Sequence, residues 1–334
     1  MRGGLNNQLM AFTAYGKIAA ETNRTLVLPK FTGGFPKEKI STLIEFEDVF
    51  QLDSEQNNHV TLPSKRFPST LIRHSDTSIP PNIRGFYLDK KKLSSFIASR
   101  SNDTVVAVSV PDQPMNERLL SKIYASFKPT TFLMNAIINV MAKYLSPMEL
   151  EQNRWESAMV IHLRIETDWL AYSLRKKCPG QYYISLSKIQ ERLERFTPKI
   201  KDQPIKTIIL SFASEALPQG AKNLRTGWPH GYNIITTNDI LNELNKNTSK
   251  KPINYLMQSL ALGHIAYRSN IFIGNWYSSF SRQLILSREE SEQGKSFIYN
   301  NDEIEDMTEH GHKKSYEPAL NKAFCDIEGV ADTY

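Results

Sequence analysis

Three short stretches of the sequence combine glycine, amide, hydroxyl and cationic residues in patterns that could bind an anion. They read GGLNNQ at residues 3–8, IHLRIETDW at residues 161–169 and GNWYSSFS at residues 274–281. Each adjoins an apolar run, which predicts a junction between a strand or loop and a helix. In open α/β sheets, ligands bind outside the carboxyl ends of the strands. The three stretches are therefore candidates for parts of one ligand site.

The first stretch places two glycines and two asparagines directly before a helical pattern. Glycine lets the backbone approach a ligand closely, and the N–H groups at a helix N-terminus attract a phosphate. The alternative is a plain tight turn with an asparagine N-cap. A strand normally precedes such a turn, yet only Met1 and Arg2 stand before it. We therefore expect that a first strand and a membrane anchor are missing from the given sequence.

The second stretch alternates polar and apolar residues, as a strand does. The alternation predicts that His162, Arg164 and Glu166 share one face of the strand. Arginine suits a pyrophosphate because its planar guanidinium can donate two hydrogen bonds to one phosphate and keeps its charge. The alternative is a structural ion pair of Arg164 with Glu166 or Asp168, and an ordinary buried histidine at 162.

The third stretch follows a short apolar strand and leads into an amphipathic run. Ser278 and Ser279 could cap the helix and present hydroxyl and N–H groups to an anion. Phe280 could stack on a base or a sugar. The alternative is ordinary capping by serine.

Composition and missing motifs exclude several other classes of protein. The formal charge of +6 is spread over 334 residues without a block of like charges, so no nucleic-acid partner is predicted. No apolar run reaches the roughly 18 residues of a membrane span, and the start shows no signal peptide. The sequence has no G-x-S-x-G, H-E-x-x-H, Walker lysine or D-x-D motif, and Glu309, His310 and His312 are too isolated for a metal site, so no metal is predicted.

Strands and helices alternate most clearly in the second half, which predicts a parallel, doubly wound sheet. The predicted strands are residues 157–165, 206–213, 232–237 and 270–274, and the helices are 182–196, 252–267 and 278–290. In the first half we predict a helix after the glycine turn, strands at 25–28 and 103–110, an irregular segment over 32–88, and two helices within 117–145 that meet at Lys128-Pro129. The length fits two medium domains, predicted as 1–150 and 151–292, followed by a tail at 293–334.

Taken in order and spacing, the three stretches resemble the GDP-fucose protein O-fucosyltransferase superfamily, including its plant branch. GGLNNQ followed by a helix and TLVLP is similar to the N-terminal signature of the family, and IHLRIETD is similar to its H-x-R strand. SNIFIGNWYSSFS resembles the nucleotide-binding segment, and KTIILSFASE resembles an internal strand of the family. The resemblance implies a GT-B-like α/β fold with two Rossmann-like domains, whose parallel sheets face a central cleft.

The resemblance also implies inverting transfer of fucose from GDP-fucose to a protein or glycan acceptor, without a cofactor or a metal. The catalytic residues that it implies are Asn7, Arg164 and Glu166. The implied substrate-binding residues are Gly3, Gly4, Leu5, Asn6, His162, Arg164, Asn270, Ser278, Ser279 and Phe280. Arg164 would hold the donor phosphates, His162 the nucleotide or ribose, and Asn7 would lie beside the transferring bond.

Two departures from the family pattern leave the nucleotide open. Asn270 and Leu262 stand where the family commonly has acidic residues, and a carboxylate that accepts from the guanine N1 and N2 donors would be lost there. The glycine turn carries no glutamate, so a general base would be Glu166 or Asp168, or absent. Alternatives are therefore a transferase that uses another nucleotide-deoxysugar such as UDP-rhamnose, and a non-catalytic member that binds a glycan or a partner.

Acceptor recognition is expected in the irregular segment 32–88 and in the loop 173–180. Trp169 and Trp228 could stack on a sugar or simply pack in the core. The resemblance implies the lumen of the Golgi or the endoplasmic reticulum, with a membrane contact only through an anchor outside this sequence. The lack of a signal in the given sequence leaves the cytoplasm as the alternative.

Overall fold

The computed structural model describes residues 6, 8–9, 26–27, 31–32, 43–44, 48–52, 61–62, 127–152, 154–176, 179–213, 224–247 and 253–307. The chain divides into two compact units. One unit comprises Met1–Thr131 with Asn254–Met257, and the other comprises Phe132–Ile253 with Gln258–Tyr334. The predicted domain ranges stay a prediction, although this division falls earlier in the chain than the predicted boundary at residue 150.

The first unit contains three strand pairs among its described residues. They are β1 (Leu26–Val27) parallel to β5 (Thr61–Leu62), β2 (Phe31–Thr32) antiparallel to β3 (Leu43–Ile44), and β4 (Phe50–Leu52) antiparallel to β6 (Phe127–Pro129). Strand β1 confirms the strand predicted at 25–28. Strands β2 to β5 lie in the segment predicted to be irregular, because runs of two or three residues are too short to show a periodicity.

The Lys128-Pro129 pair lies in β6, where the sequence predicted a junction between two helices. Pro129 is the last residue of β6, and proline is tolerated at the end of an edge strand because it need not donate to the ladder. Only the helix after it is observed. The strand predicted at 103–110 and residues 117–126 of the first predicted helix lie outside the described residues.

The second unit is built on a six-stranded sheet. Its strands are β7 (Trp155–His162), β8 (Thr207–Ser211), β9 (Asn233–Thr236), β10 (Ser269–Gly274), β11 (Lys295–Ile298) and β12 (Glu305–Asp306). Their order is β12-β11-β10-β7-β8-β9, and all neighbours are parallel except β12, which is antiparallel to β11. The predicted α/β class with a parallel sheet is therefore confirmed for this unit.

Helices connect these strands in the predicted order. They are α1 (Thr131–Met141), α2 (Pro147–Glu151), α3 (Thr167–Ser173), α4 (Pro179–Tyr182), α5 (Leu186–Phe196), a 3₁₀ helix (Thr197–Ile200), α6 (Thr237–Asn247), α7 (Tyr255–Arg268) and α8 (Ser279–Glu290). The segment predicted as a tail departs from expectation, since Lys295–Ile298 and Glu305–Asp306 extend the sheet. Phe297, Ile298 and Tyr299 are buried there.

The central strands are buried on both faces, as expected for a parallel sheet covered by helices. All residues of β8 and β10 are buried, and β7 exposes only Glu156. Edge strand β9 begins exposed at Asn233. The continuous apolar runs of the sequence thus come from strands with no solvent face.

The connection order creates a switch point between β7 and β10. The chain leaves β7 toward β8 and β9 on one side, and later enters β10 and β11 on the other side. In open α/β sheets, ligands bind outside the carboxyl ends of the strands at such a switch point. The predicted stretches IHLRIETDW and GNWYSSFS follow these two strands.

A buried arginine anchors the amino edge of the same sheet. Arg288 of α8 is fully buried and has no carboxylate partner among the described residues. Its guanidinium instead donates to the carbonyl oxygens of Ala266, Tyr267, Ser269, Asn270 and Lys295 and to the hydroxyl of Ser296. Burial lowers the pKa of Arg288 to about 9. One side chain thus joins the end of α7 to the first residues of β10 and β11.

Candidate functional site

His162 is the last residue of β7 and lies at the switch point. Its side chain is almost enclosed, and Nδ1 lies 2.7 Å from the Ser281 hydroxyl oxygen. The centroid of its ring lies 4.7 Å from that of Phe280. Burial, and secondarily the charge of Arg164, lower the pKa of His162 to about 3. The imidazole is therefore neutral at physiological pH.

Ser281 lies in the first turn of α8 and connects this helix to His162. The Asn275 backbone N–H donates to the Ser281 hydroxyl oxygen at 3.1 Å. A methyl group at Gly274 would lie 2.5 Å from that oxygen, which is closer than real contacts allow. Glycine at 274 is thus what permits the close approach of α8 to the ends of β7 and β10.

Arg164 lies two residues beyond the end of β7, in the connection to α3. Its Nη1 lies 2.9 Å from Glu166 Oε2, and its Nη2 lies 3.7 Å from Asp168 Oδ2. The guanidinium lies over the Trp169 ring, 4.7 Å from the centroid. The ion pair considered as the alternative is therefore present. Arg164 nevertheless keeps 21% of its side chain exposed, so it can also contact a ligand.

Glu166 precedes α3 and does not continue the strand, so the predicted strand alternation ends at His162. Its carboxylate is 1% exposed, and Oε1 accepts from the Ala213 backbone N–H at 3.2 Å. Burial raises the pKa of Glu166, and the charge of Arg164 opposes that rise. The carboxylate therefore links the connection after β7 to the connection after β8.

The N-terminus of α8 adjoins this cluster. Ser278 is the N-cap residue, it is buried, and its hydroxyl makes no capping hydrogen bond. Ser279 and Phe280 begin the helix and are partly exposed. The first turn of a 12-residue helix carries a partial positive charge and N–H groups suited to an anion.

Tyr299 follows β11 and reaches beneath β10 to the end of β7. Its hydroxyl donates to the His162 carbonyl oxygen and accepts from the Arg164 backbone N–H, both at 3.0 Å. Its own backbone N–H donates to the Gly274 carbonyl oxygen at 3.1 Å. Burial raises the pKa of Tyr299, so its hydroxyl stays protonated.

The family model described as GDP-fucose protein O-fucosyltransferase matches residues 1–291, which is most of the chain. The chain belongs to this family. It is therefore a glycosyltransferase. It also shares 23% identity with O-fucosyltransferase 23 of Arabidopsis thaliana over 330 residues, covering 88% of this chain and 71% of that protein.

Solved structures of fucosyltransferases share the fold of this O-fucosyltransferase family member. A crystal structure of POFUT1 in complex with GDP has a TM-score of 0.59 at 16% identity, covering 89% of this chain and 96% of that chain. The fucosyltransferase NodZ from Bradyrhizobium has a TM-score of 0.51 at 14% identity, covering 89% of this chain and 92% of that chain. At these identities the likeness establishes the fold alone.

The structure brings together the predicted site residues of the second unit, with one exception. His162, Arg164, Glu166, Ser278, Ser279 and Phe280 all lie at the carboxyl edge of the sheet. Asn270 lies near the amino end of β10, where its amide donates to the Glu156 carbonyl at 3.0 Å and to Gln203 Oε1 at 3.3 Å. Four further residues of β10, about 13 Å of extended chain, separate it from the carboxyl edge.

Asn270 therefore does not join the other predicted site residues. The prediction that a guanine-binding carboxylate is lost at Asn270 assumed that this residue lies in the site. In the structure Asn270 lies at the amino end of β10, whereas the switch-point residues lie at the carboxyl end. Leu262 is buried within α7. Whether Leu262 affects the choice of nucleotide stays a prediction.

The predicted residues of the first unit are only partly described. Asn6 is helical and buried, and neither atom of its amide has a hydrogen-bond partner among the described residues. An enclosed amide without partners is costly, which is consistent with a ligand contact. Gly3, Gly4, Leu5 and Asn7 lie outside the described residues, so their roles in the family remain predictions.

Sequence reasoning missed Tyr299 and gave no role to Ser281. Ser281 belongs to the quoted stretch GNWYSSFS, and its place in the first turn of the predicted helix was the available signal. Tyr299 is 137 residues from His162 and carries no local signal. Trp169 and Trp228 belong to the hydrophobic core, which favours their packing role.

Aromatic side chains extend from Trp169 along the same edge. The rings of Trp169 and Tyr172 are stacked at 4.9 Å between centroids, and those of Tyr182 and Tyr277 lie 4.2 Å apart. The Lys176 ammonium lies 4.5 Å from the centroid of Tyr172. The predicted acceptor loop 173–180 begins beside this cluster; its role in acceptor recognition stays a prediction.

No group of three or more His, Cys, Asp or Glu side chains with the geometry to hold a metal ion occurs among the described residues. The prediction that the family member needs no metal is not tested by this. Within the described parts of the chain, none of the helices is long and apolar enough to cross a membrane.

Proposed function

We propose that the chain transfers fucose from GDP-fucose to a hydroxyl group of a protein or glycan. The observation that carries this proposal is the cationic cluster at the switch point: Arg164 and the N-terminus of α8 lie at adjoining strand ends of a sheet whose chain belongs to the O-fucosyltransferase family. A nucleoside diphosphate fits this chemistry, because its phosphates need positive charge and N–H donors.

In the proposed reaction the acceptor oxygen bonds to C1 of fucose while the bond from C1 to the β-phosphate oxygen breaks, and the acceptor hydroxyl loses its proton to Glu166, to Asp168 or, without a protein base, to solvent. Negative charge then grows on the departing diphosphate. We propose that Arg164 and the first-turn N–H groups of α8 stabilise that charge, and that attack opposite the leaving group inverts the configuration. With these groups supplying the positive charge, the reaction proceeds without a metal.

Neutral His162 is suited to hold the nucleotide or ribose. A neutral imidazole donates through one nitrogen and accepts through the other. Its Nδ1 is engaged by Ser281, so its other nitrogen is the one left for the ligand. We propose that the glycine turn and Asn6 of the first unit bind the donor substrate. We propose that Asn7 lies beside the bond that is transferred.

The proposed arrangement is of the GT-B type, with the donor in a cleft between two Rossmann-like domains. Known structures of the same fold carry the names of fucosyltransferases, and POFUT1 has been crystallised with GDP and with GDP-fucose. We further propose that the protein acts in the secretory pathway, where an O-fucosyltransferase would meet its acceptors.

The first test is the melting temperature of the purified chain with GDP, GDP-fucose, UDP and UDP-rhamnose. A ligand at 100 times its Kd stabilises the folded state by about 2.7 kcal/mol, which is a clear shift. We expect stabilisation by GDP and GDP-fucose that Arg164→Ala abolishes. Arg154→Ala is the matched control, because Arg154 is exposed just before the opposite end of the same strand.

Each other result has a definite meaning. Stabilisation by the uridine ligands alone would replace GDP-fucose with another nucleotide-deoxysugar. No stabilisation of a folded chain by any of the four would contradict the transferase proposal and favour a non-catalytic glycan-binding member. Equal loss in Arg154→Ala and Arg164→Ala would contradict the assigned position of the site.

A further inference from the structure

The backbone just beyond β7 is held from two sides. On one side, the Leu163 N–H donates to the Ser211 carbonyl of β8 at 2.8 Å. On the other side, the Tyr299 hydroxyl bridges the His162 carbonyl and the Arg164 N–H. Position and direction of the Arg164 backbone are therefore set by β8 and by a side chain that reaches across from β11.

The Tyr299 side chain is itself rigidly placed. It is fully buried in the hydrophobic core, with its backbone N–H on Gly274 and its carbonyl oxygen accepting from the Arg192 guanidinium. The next residue, Asn300, accepts from the Trp276 N–H at 2.6 Å. Tyr299 and Asn300 together thus connect the end of β10 and the residues after it to the backbone just beyond β7.

We propose that Tyr299 is a positioning residue: its hydroxyl fixes the backbone on both sides of Leu163 and thereby directs the Arg164 guanidinium toward the donor phosphates. This inference rests on the proposed function. Core packing alone does not require the hydroxyl, since phenylalanine would fill nearly the same space. The hydroxyl joins the two backbone groups and also contacts the Asn275 side chain.

The test replaces Tyr299 with phenylalanine and uses Tyr232→Phe as the matched control. Tyr232 is partly buried against the same core and lies just before β9, away from the switch point. The first readout is hydrogen exchange of peptides covering residues 163–166 in the absence of ligand. We expect faster exchange there in Tyr299→Phe only, with β8 and β9 unchanged.

The second readout is a double-mutant cycle on GDP affinity with Arg164→Ala. We expect Tyr299→Phe to weaken GDP binding roughly tenfold when Arg164 is present and hardly at all when it is absent, because its effect acts through Arg164. Equal weakening in both backgrounds would overturn the inference, as would unchanged exchange at residues 163–166. Faster exchange throughout the sheet would identify Tyr299 as a merely structural residue and also overturn it.

The two readouts separate this inference from the proposed function. If the wild-type chain binds no GDP, the proposed donor is wrong, and hydrogen exchange alone decides whether Tyr299 orders the turn. If GDP binds and Arg164→Ala weakens it while Tyr299→Phe does not, the function stands and the role of Tyr299 fails.

Discussion

At the scale of single residues, Arg164 is shared between a protein partner and the proposed ligand. Glu166 is almost completely enclosed and its closest cation is Arg164. A buried carboxylate in such a pair orients the guanidinium more directly than it could deprotonate an acceptor. We therefore expect Glu166 to support Arg164 rather than to act as the general base, and kinetics can distinguish the two roles.

Replacing Glu166 with glutamine keeps the side-chain volume and removes the charge. We expect kcat to fall less than about tenfold while KM for GDP-fucose rises, because Arg164 loses the closer of its two carboxylate partners and no general base is removed. Loss of a general base would instead lower kcat about 10² to 10⁴-fold. Steady-state rates with varied GDP-fucose decide between them, and Glu156→Gln, exposed near the amino end of β7, is the control.

The sequence indicated much of this residue-level arrangement. His162 and Arg164 were predicted to bind the donor substrate. The ion pair of Arg164 with Glu166 was an open alternative, and the structure confirms that this pair is present. Asn270 was included among them from the family resemblance, although the predicted strand 270–274 begins at this residue, and the structure places it at the amino end of β10. The Tyr299 contact was beyond prediction, since it joins residues 135 and 137 positions apart.

At the scale of elements, the approach of α8 to the sheet depends on the absence of a side chain at 274. We expect Gly274→Ala to lower the free energy of unfolding by about 1–3 kcal/mol, since the new methyl group would overlap Ser281. It should also weaken GDP binding, because Ser281 would be displaced from His162. Urea unfolding and nucleotide titration measure the two effects.

A second substitution checks the cause. In the double variant Gly274→Ala/Ser281→Gly, the overlap with the serine disappears, so stability should be partly restored. GDP affinity should stay low because the His162 contact is absent. Failure of Ser281→Gly to restore any stability would show that the methyl group acts through another neighbour, such as Phe272.

Elements of the second half were predictable because their patterns are long and their turns are short. The predicted strands and helices from residue 157 to 290 occur in the predicted order, but helices α3 (Thr167–Ser173) and α6 (Thr237–Asn247) were not predicted. Strand β11 was assigned to a tail, since its four residues follow a polar segment and show no repeated pattern. Strand β11 is buried because it pairs with β10, and a local sequence pattern does not reveal such a pairing.

At the scale of the whole molecule, His162, which is buried, and His264, which is partly buried, make stability depend on pH. Burial lowers the pKa of His162 and of His264 to about 3 each, and the charges of Arg164 and Arg268 act in the same direction. The unfolded chain binds protons near the ordinary pKa of about 6.5. Their contribution to stability is therefore complete above about pH 6.5 and falls as the pH drops toward 3.

At pH 5 each histidine should reduce the free energy of unfolding by about 2 kcal/mol relative to pH 7.5. His264→Phe should lessen the difference in stability between these two pH values, whereas the exposed His230→Gln should leave it unchanged. Urea unfolding of the three proteins at both pH values measures the difference. If the stability of His264→Phe changes with pH as much as that of the unchanged protein, the prediction is wrong. His264 would then accept a proton in the folded state about as readily as in the unfolded state.

The strand order also has a consequence for synthesis on the ribosome. Residues of β7, β8 and β9 leave the ribosome first and can pair with one another, but one side of β7 has no neighbour until β10 has been made. The His162 imidazole gains its contact with Ser281 only after 119 further residues have been made, and its backbone carbonyl gains the contact with Tyr299 later still. A nascent chain therefore exposes an apolar strand edge for most of the synthesis of this unit, which is the interval when a chaperone would protect it from aggregation. Any transcript that ends before β10 encodes a protein with three of the six strands and without the N-terminus of α8.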